Sequence, residues 1–278
     1  MKHSKKYKVK YPNQPVWSCF ARFLRLVFKR PEIINLAGEL PTKAIYVANH
    51  SAMAGPVVYN LYFPASHAPW GAYPMLEGYK SRFKYLRDVY FVQKRKMNKA
   101  FASFLATFEA CFSIWIYKGM HVIPSYPDGR LLKTLRISLD NIENNRAVMV
   151  FPEHSETGYH ETLTGFSAGF VVLAERYKKL HGEDIPIYPI YYHKSLNKMV
   201  VGEPHTLDEF KDKNLSRNEI ANEFCKITNQ LFVDYVGEKP KKQRKKAKDR
   251  TKKERTKVKE IKEILDAIDS ADAAVQTE

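Results

Sequence analysis

The chain has 278 residues, 44% of them hydrophobic, so it is long enough to bury a sizeable core. Its three cysteines lie far apart, which argues against a disulfide framework or a zinc ribbon and fits a reducing cytoplasm. We expect all three to be small buried side chains. The net charge is +16, and residues 239–262 alone carry fourteen Lys or Arg against three Asp or Glu. Such runs favour anionic partners, either lipid headgroups or nucleic acid.

Two segments near the front of the chain predict apolar helices. Residues 16–28 have helical apolar spacing with Arg22 and Arg25 on the other side, and these arginines argue against a secretory signal. This helix either lies in a membrane interface or packs on the domain, and the pattern allows both. Residues 100–117 carry Glu109 as their one charge, which predicts a buried or membrane-dipping helix rather than a spanning one.

The rest of the chain alternates between predicted strands and helices. In chain order, the pattern predicts a strand at 44–48, a helix at 53–62, a strand near 70–75, helices at 97–117 and 131–144, a strand at 146–151, a helix at 167–180, strands at 185–191 and 198–201, and a helix at 218–236. This order predicts an α/β fold with a mostly parallel central sheet flanked by helices. We expect a basic N-terminal segment with the amphipathic helix at 1–35, one domain at 36–237, and a Lys/Arg-rich tail, disordered or helical, at 238–278.

A histidine and a glutamate each follow a buried predicted strand directly. Asn49-His50 comes after the strand at 44–48, and Phe151-Pro152-Glu153 after the strand at 146–151. Pro152 cannot continue a ladder of hydrogen bonds, so the chain turns there. The carboxyl ends of parallel strands form the crevice in which α/β folds bind ligands. We therefore expect both side chains on one rim, where an imidazole can accept a proton from an attacking hydroxyl.

Four blocks in order resemble the glycerol-phosphate and lysophospholipid acyltransferase superfamily, of the 1-acylglycerol-3-phosphate acyltransferase type. That superfamily has an Asn-His-x4-Asp signature after a strand, a Gly-containing block before a strand, a Phe-Pro-Glu-Gly-Thr-Arg-Ser block and a Val-Pro-type strand. The corresponding blocks here are Val47-Ala48-Asn49-His50, residues 119–124, Phe151-Pro152-Glu153-His154-Ser155-Glu156, and residues 185–190. The likeness spans roughly residues 40–236.

The resemblance implies transfer of an acyl chain from a thioester, of coenzyme A or acyl carrier protein, to a glycerolipid hydroxyl. His50 would be the general base and Glu153 the second residue of the catalytic site, in contact with the acceptor. The remaining residues implied to bind substrate are Asn49, Ser51, Gly55, Pro152, His154, Ser155 and Arg130. The thioester is a co-substrate, and no cofactor is expected. A metal is not expected either, because His160-Glu161 is followed by Thr164 where a His-Glu-x-x-His site needs its second histidine.

The chain departs from the superfamily pattern at three positions. Gly55 stands where the aspartate that orients the histidine would be, and no arginine follows Glu153 in the third block, so the phosphate-binding arginine is missing. After the second block, Ser125 stands near where an arginine is often found, and Arg130 is the nearest replacement. Glu153, Glu156 and Glu161 are possible substitutes for the missing aspartate. These departures leave an alternative open, a catalytically impaired homologue that binds lipid or acts as a scaffold.

The expected partners follow from the same features. We expect two partners, an anionic membrane lipid and an acyl thioester donor, and the donor's carrier can be acyl carrier protein. We expect the protein itself on the cytoplasmic face of the membrane, as a peripheral or monotopic protein. A nucleic-acid-binding tail is a third, weaker interpretation, and nucleic acid is not the expected partner.

Overall fold

The computed structural model describes residues 15–51, 54–153, 162–210 and 214–237. The predicted basic tail, and the lysines at residues 2–10, lie outside these ranges. The strands are β1 (Glu32–Asn35), β2 (Ile45–Ala48), β3 (His67–Ala72), β4 (Ile123–Ser125), β5 (Ala147–Val150), β6 (Ile187–His193) and β7 (Lys198–Val201). The α-helices are α1 (Pro15–Val27), α2 (Ala54–Tyr62), α3 (Tyr79–Lys84), α4 (Lys99–Gly119), α5 (Leu131–Glu143), α6 (Gly169–His181) and α7 (Arg217–Leu231).

The seven strands form one sheet in the order β1-β7-β6-β2-β5-β3-β4. All neighbours are parallel except β6 and β7, which are antiparallel. The predicted α/β fold with a mostly parallel sheet and flanking helices is therefore confirmed. The carboxyl ends of β2, β3, β4, β5 and β6 all lie at one edge of the sheet.

Strand β2 lies at the centre of the sheet and is fully buried along its length. Ile45 and Val47 point into a core layer that includes side chains of α5, α6 and α7, whereas Tyr46 and Ala48 point into a second layer that contains α2. A central parallel strand is covered on both faces, which explains why its sequence is a continuous apolar run rather than an alternating one.

Several elements differ from the sequence prediction. Strand β3 starts at His67, three residues before the predicted range. Strand β1, which the sequence pattern does not predict, pairs with β7 at the edge of the sheet. The sequence pattern predicts no element between β3 and α4, but the structure has α3 and a π-helical stretch at Tyr85–Lys94 there. A π-helix places side chains at a different angular spacing from the 3.6-residue period that predicts α-helices. Strand β4 has only three residues, too few for a recognisable alternation.

The N-terminal helix α1 packs on the domain along one side and leaves apolar side chains exposed on the other. One side of α1 packs on the domain, where Ala21 is buried and the Trp17 ring lies against Gly119 at the end of α4. Its other side leaves Phe23, Leu26 and Val27 more than half exposed. Within the described part of the chain, α4 is the one helix that is long and apolar enough to span a membrane, and 22% of its most apolar window is buried.

The expectation of three buried cysteines is wrong for two of them. Cys225 is buried in α7, but Cys19 and Cys111 are exposed, on α1 and α4 respectively. Burial, with a smaller contribution from Glu153, raises the pKa of the Cys225 thiol to about 12, so this cysteine does not supply a thiolate nucleophile.

The buried His67 predicts a loss of stability in acid. Its Nδ1 lies 2.9 Å from the Ala65 carbonyl oxygen, and burial lowers its pKa to about 4 from an ordinary value of 6.5. Between pH 6.5 and 4 the unfolded chain therefore binds this proton more readily than the folded one, so the free energy of unfolding falls as the pH falls, by up to about 3 kcal/mol. Urea titrations at several pH values should show a steeper decline for the wild type than for H67Q. Parallel declines in the two proteins would contradict this assignment.

Candidate functional site

The predicted site residues lie at the carboxyl ends of the neighbouring strands β2 and β5. The helix that follows β2, α2, packs into one core layer, and the helix that follows β5, α6, packs into the other. Connections that leave adjacent strands towards opposite faces open a crevice between them, and α/β folds bind ligands at such points. The structure therefore brings Asn49-His50 and Phe151-Pro152-Glu153 to one crevice.

A hydrogen bond joins the two strand ends directly. The backbone N–H of His50 donates to Oε2 of Glu153 across 2.9 Å, and both residues are half-buried. The imidazole of His50 packs beside the ring of Phe151, with 5.5 Å between the ring centroids. Glu153 in turn forms an isolated antiparallel bridge with Phe166, just before α6. A carboxylate and an imidazole thus share one rim, as the sequence predicts.

Asn49 fixes the end of β2 through a buried polar network. Its Oδ1 accepts hydrogen bonds from the backbone N–H of Tyr192 at 2.7 Å and from the hydroxyl of Tyr59 at 3.0 Å, and its Nδ2 donates to the Tyr192 carbonyl at 3.0 Å. The carboxamide thereby pairs with a residue of β6 as a backbone amide would. Burial raises the pKa of the Tyr59 phenol well above its ordinary value, so it stays protonated and remains a donor. This satisfied network positions the next residue, His50.

Gly55 lies too close to the strand end for any side chain. A Cβ built on Gly55 would lie 2.2 Å from the carbonyl oxygen of His50 and 2.8 Å from its carbonyl carbon. These are backbone atoms that cannot move aside as a flexible side chain could. The aspartate of the superfamily pattern therefore does not fit at position 55 in this backbone, and Gly55 contributes close backbone packing rather than a functional side chain.

Lys94 is a cation near the site that sequence analysis missed. It is half-buried at the end of the π-helical stretch; burial lowers its pKa, and the nearby charge of Glu153 acts in the opposite direction. Because the segment around it had no recognisable helical period, nothing in the sequence connected it with β5.

Arg130, the predicted replacement for the arginine that the second block lacks, lies after β4 at the same edge of the sheet. Strand β3 separates β4 from β5, so Arg130 is two strands away from the end of β5. Its guanidinium donates to both carboxylate oxygens of Asp128 and lies over the rings of Tyr73 and Tyr126, 4.6 and 4.5 Å from their centroids. The hydrogen bond with Asp128 raises the pKa of Arg130. It is thus a partly exposed cation held at the outer part of the rim.

Of the remaining predicted site residues, two lie within the ranges that the structure describes and the others lie outside them. Ser51 has a φ of +41°, in the left-handed region, where the chain turns out of β2. Pro152 is buried two residues after the end of β5, and its carbonyl accepts the N–H of Ser167 at 2.9 Å. His154, Ser155, Glu156 and Glu161 lie outside the described residues. Across the described ranges, no group of three His, Cys, Asp or Glu side chains is arranged to hold a metal ion.

Comparison with known proteins identifies no family for this chain. No protein-family model matches it, and no curated protein and no solved structure matches it significantly.

The packing at Gly55 predicts that even a methyl group there is destabilising. We expect G55A to lower the free energy of unfolding by about 2 kcal/mol or more, because the methyl group must displace the backbone of His50. G129A is the matched control, because a Cβ on Gly129 meets nothing within 4 Å. Urea denaturation of both variants should show a change within about 0.5 kcal/mol for the control. Equal stability of the two variants would show that the strand end is not packed this tightly.

Proposed function

We propose that this protein transfers an acyl chain from a thioester to a hydroxyl of a lysophospholipid or related glycerolipid. The observation that carries the proposal is the hydrogen bond between the His50 backbone and the Glu153 carboxylate, because it brings the two predicted catalytic-site residues to one crevice. The ordered resemblance of the four sequence blocks supports the same chemistry. The donor would be an acyl thioester of coenzyme A or of acyl carrier protein.

In the proposed reaction His50 acts as general base. Its imidazole takes the proton of the acceptor hydroxyl as the oxygen attacks the thioester carbonyl, so a carbon–oxygen bond forms and a tetrahedral intermediate results. The carbon–sulfur bond then breaks, and the imidazolium returns its proton to the thiolate that leaves. Asn49 keeps the end of β2 in place through its buried network, which fixes the backbone that carries the imidazole.

The charges around the crevice suit an acceptor with an anionic headgroup. Lys94 lies near Glu153, and Arg130 stands further out on the same rim. We propose that Lys94 attracts the headgroup phosphate in place of the arginine that the third block lacks, while Glu153 accepts a hydrogen bond from an acceptor hydroxyl.

A second candidate function is lipid binding without catalysis. The exclusion of an aspartate at position 55 favours it, because the orienting carboxylate of the superfamily has no place beside His50. Loss of such a carboxylate in a serine protease lowers turnover by about 10⁴. A protein of this kind would hold the lysolipid and turn over no thioester.

Thiol release distinguishes the two functions. The full-length protein, supplied with palmitoyl-coenzyme A and lysophosphatidate, should release free thiol and form the diacyl product, detected by mass spectrometry. We expect H50A to lower kcat by about 10²–10⁴, the usual contribution of general base catalysis. E153Q should mainly raise KM, because the amide oxygen still accepts the His50 N–H while the charge is lost.

The control for this assay is H181A, which removes a histidine at the far end of α6 and should leave turnover unchanged. Unchanged turnover in H50A would refute the proposed base. Tight lysolipid binding with no thiol release from coenzyme A or acyl carrier protein thioesters would establish the second function instead.

A further inference from the structure

Helix α4 presents an unusual outer surface. Five large aromatic side chains, each more than half exposed, follow one another at spacings of three, four, four and three residues: Phe101, Phe104, Phe108, Phe112 and Trp115. This spacing places them on one face of the helix, which we call the aromatic face of α4. Contiguous exposed apolar surface on this scale marks a site of interaction with a protein or a membrane.

The opposite face of α4 is held firmly by the domain. Ala102, Ala106 and Ala110 are fully buried against a cluster that includes Leu86 and Phe91 of the π-helical stretch. The buried side chain of Arg82, on α3, donates from Nε to the carbonyl oxygen of Ala110 at 2.9 Å, halfway along α4. A helix that crossed the bilayer would carry this guanidinium into the hydrocarbon region, which is strongly unfavourable.

Helix α1 extends the apolar surface at one end of α4. Its Trp17 ring packs against Gly119, and its outer side exposes Phe23, Leu26 and Val27. The exposed apolar side chains therefore lie on two helices that contact each other. The aromatic face of α4 runs from Phe101, seven residues after Lys94 in the chain, to Trp115 near the contact with α1.

The charges on these two helices identify the occupant of this surface. Six basic side chains on the two helices or just after α1 are exposed: Arg22, Arg25, Lys29, Arg30, Lys99 and Lys118. The one carboxylate on either helix, Glu109, is half-buried. These helices therefore combine exposed aromatic side chains with basic neighbours and carry no exposed acidic residue. This combination matches the surface of an anionic bilayer, because the aromatic rings enter the bilayer and each nearby Lys or Arg is attracted to the headgroups.

We infer that α4 lies flat in the surface of an anionic bilayer, with its aromatic face among the acyl chains and α1 beside it. The inference does not depend on acyl transfer. The length and composition of α4 would also allow it to span a membrane. In the arrangement that we infer, only one side of α4 enters the bilayer.

The test of binding uses the full-length protein and vesicles of phosphatidylcholine with phosphatidylglycerol. In F104E/F112E both new carboxylates stand on the exposed aromatic face, so the fold is preserved, and we expect vesicle binding to weaken at least about tenfold. The matched control is L132E/L180E, which makes the same charge change at two exposed leucines on α5 and α6. Equal loss in both variants would overturn the inference. So would unaltered vesicle binding by F104E/F112E together with loss of a dimer, which would assign the face to a second copy of the chain.

The test of orientation places single tryptophans along the face. F101W and F108W, each in a W115F background, are compared with the wild-type Trp115 by quenching with phospholipids brominated at different depths, after subtraction of the W115F signal. A flat helix predicts similar depths at all three positions. A spanning helix predicts that position 108 lies about 10 Å nearer the bilayer centre than positions 101 and 115, which are seven residues to either side at about 1.5 Å per residue, and that result would overturn the inference. Absence of quenching at all three positions would overturn it as well.

Discussion

The hydrogen bond from the His50 backbone to the Glu153 carboxylate links the two central strands at the point where their chains separate. Strand β2 continues into α2 on one face of the sheet, and β5 leads to α6 on the other. Without a contact across this divergence, the two ends would be free to move apart. The bond is charge-assisted and therefore stronger than an ordinary amide–carbonyl hydrogen bond. It fixes the position from which the His50 imidazole extends.

The surrounding packing supports the same strand end from two sides. Asn49 joins it to β6 by pairing with the backbone of Tyr192, and the close approach of Gly55 sets the first turn of α2 directly against the His50 carbonyl. These two contacts carry a chemical consequence. The backbone that holds His50 in place also leaves no room for a carboxylate at position 55, so any group that orients the imidazole must come from another part of the crevice.

Much of this arrangement could be predicted from the sequence, for physical reasons. Buried central strands are continuous apolar runs, so β2 and β5 were recognisable, and parallel strands place their carboxyl ends together, so His50 and Glu153 were expected on one rim. The clash at Gly55 is a distance between atoms five residues apart across a turn, and no pattern of residue types encodes it. Lys94 was missed because a π-helical stretch has no 3.6-residue period, and the exposure of Cys111 depends on which face of α4 the domain covers.

We propose that the acyl thioester binds in the crevice at the ends of β2 and β5. Hydrogen–deuterium exchange, measured with and without S-hexadecyl-coenzyme A, a thioether that cannot transfer its chain, tests this binding site. We expect slower exchange on binding in the peptides that cover residues 45–51 and 147–153. Binding that protects other parts of the chain, such as the groove beside Leu207 and Ile220, and leaves both strand ends unchanged would contradict it.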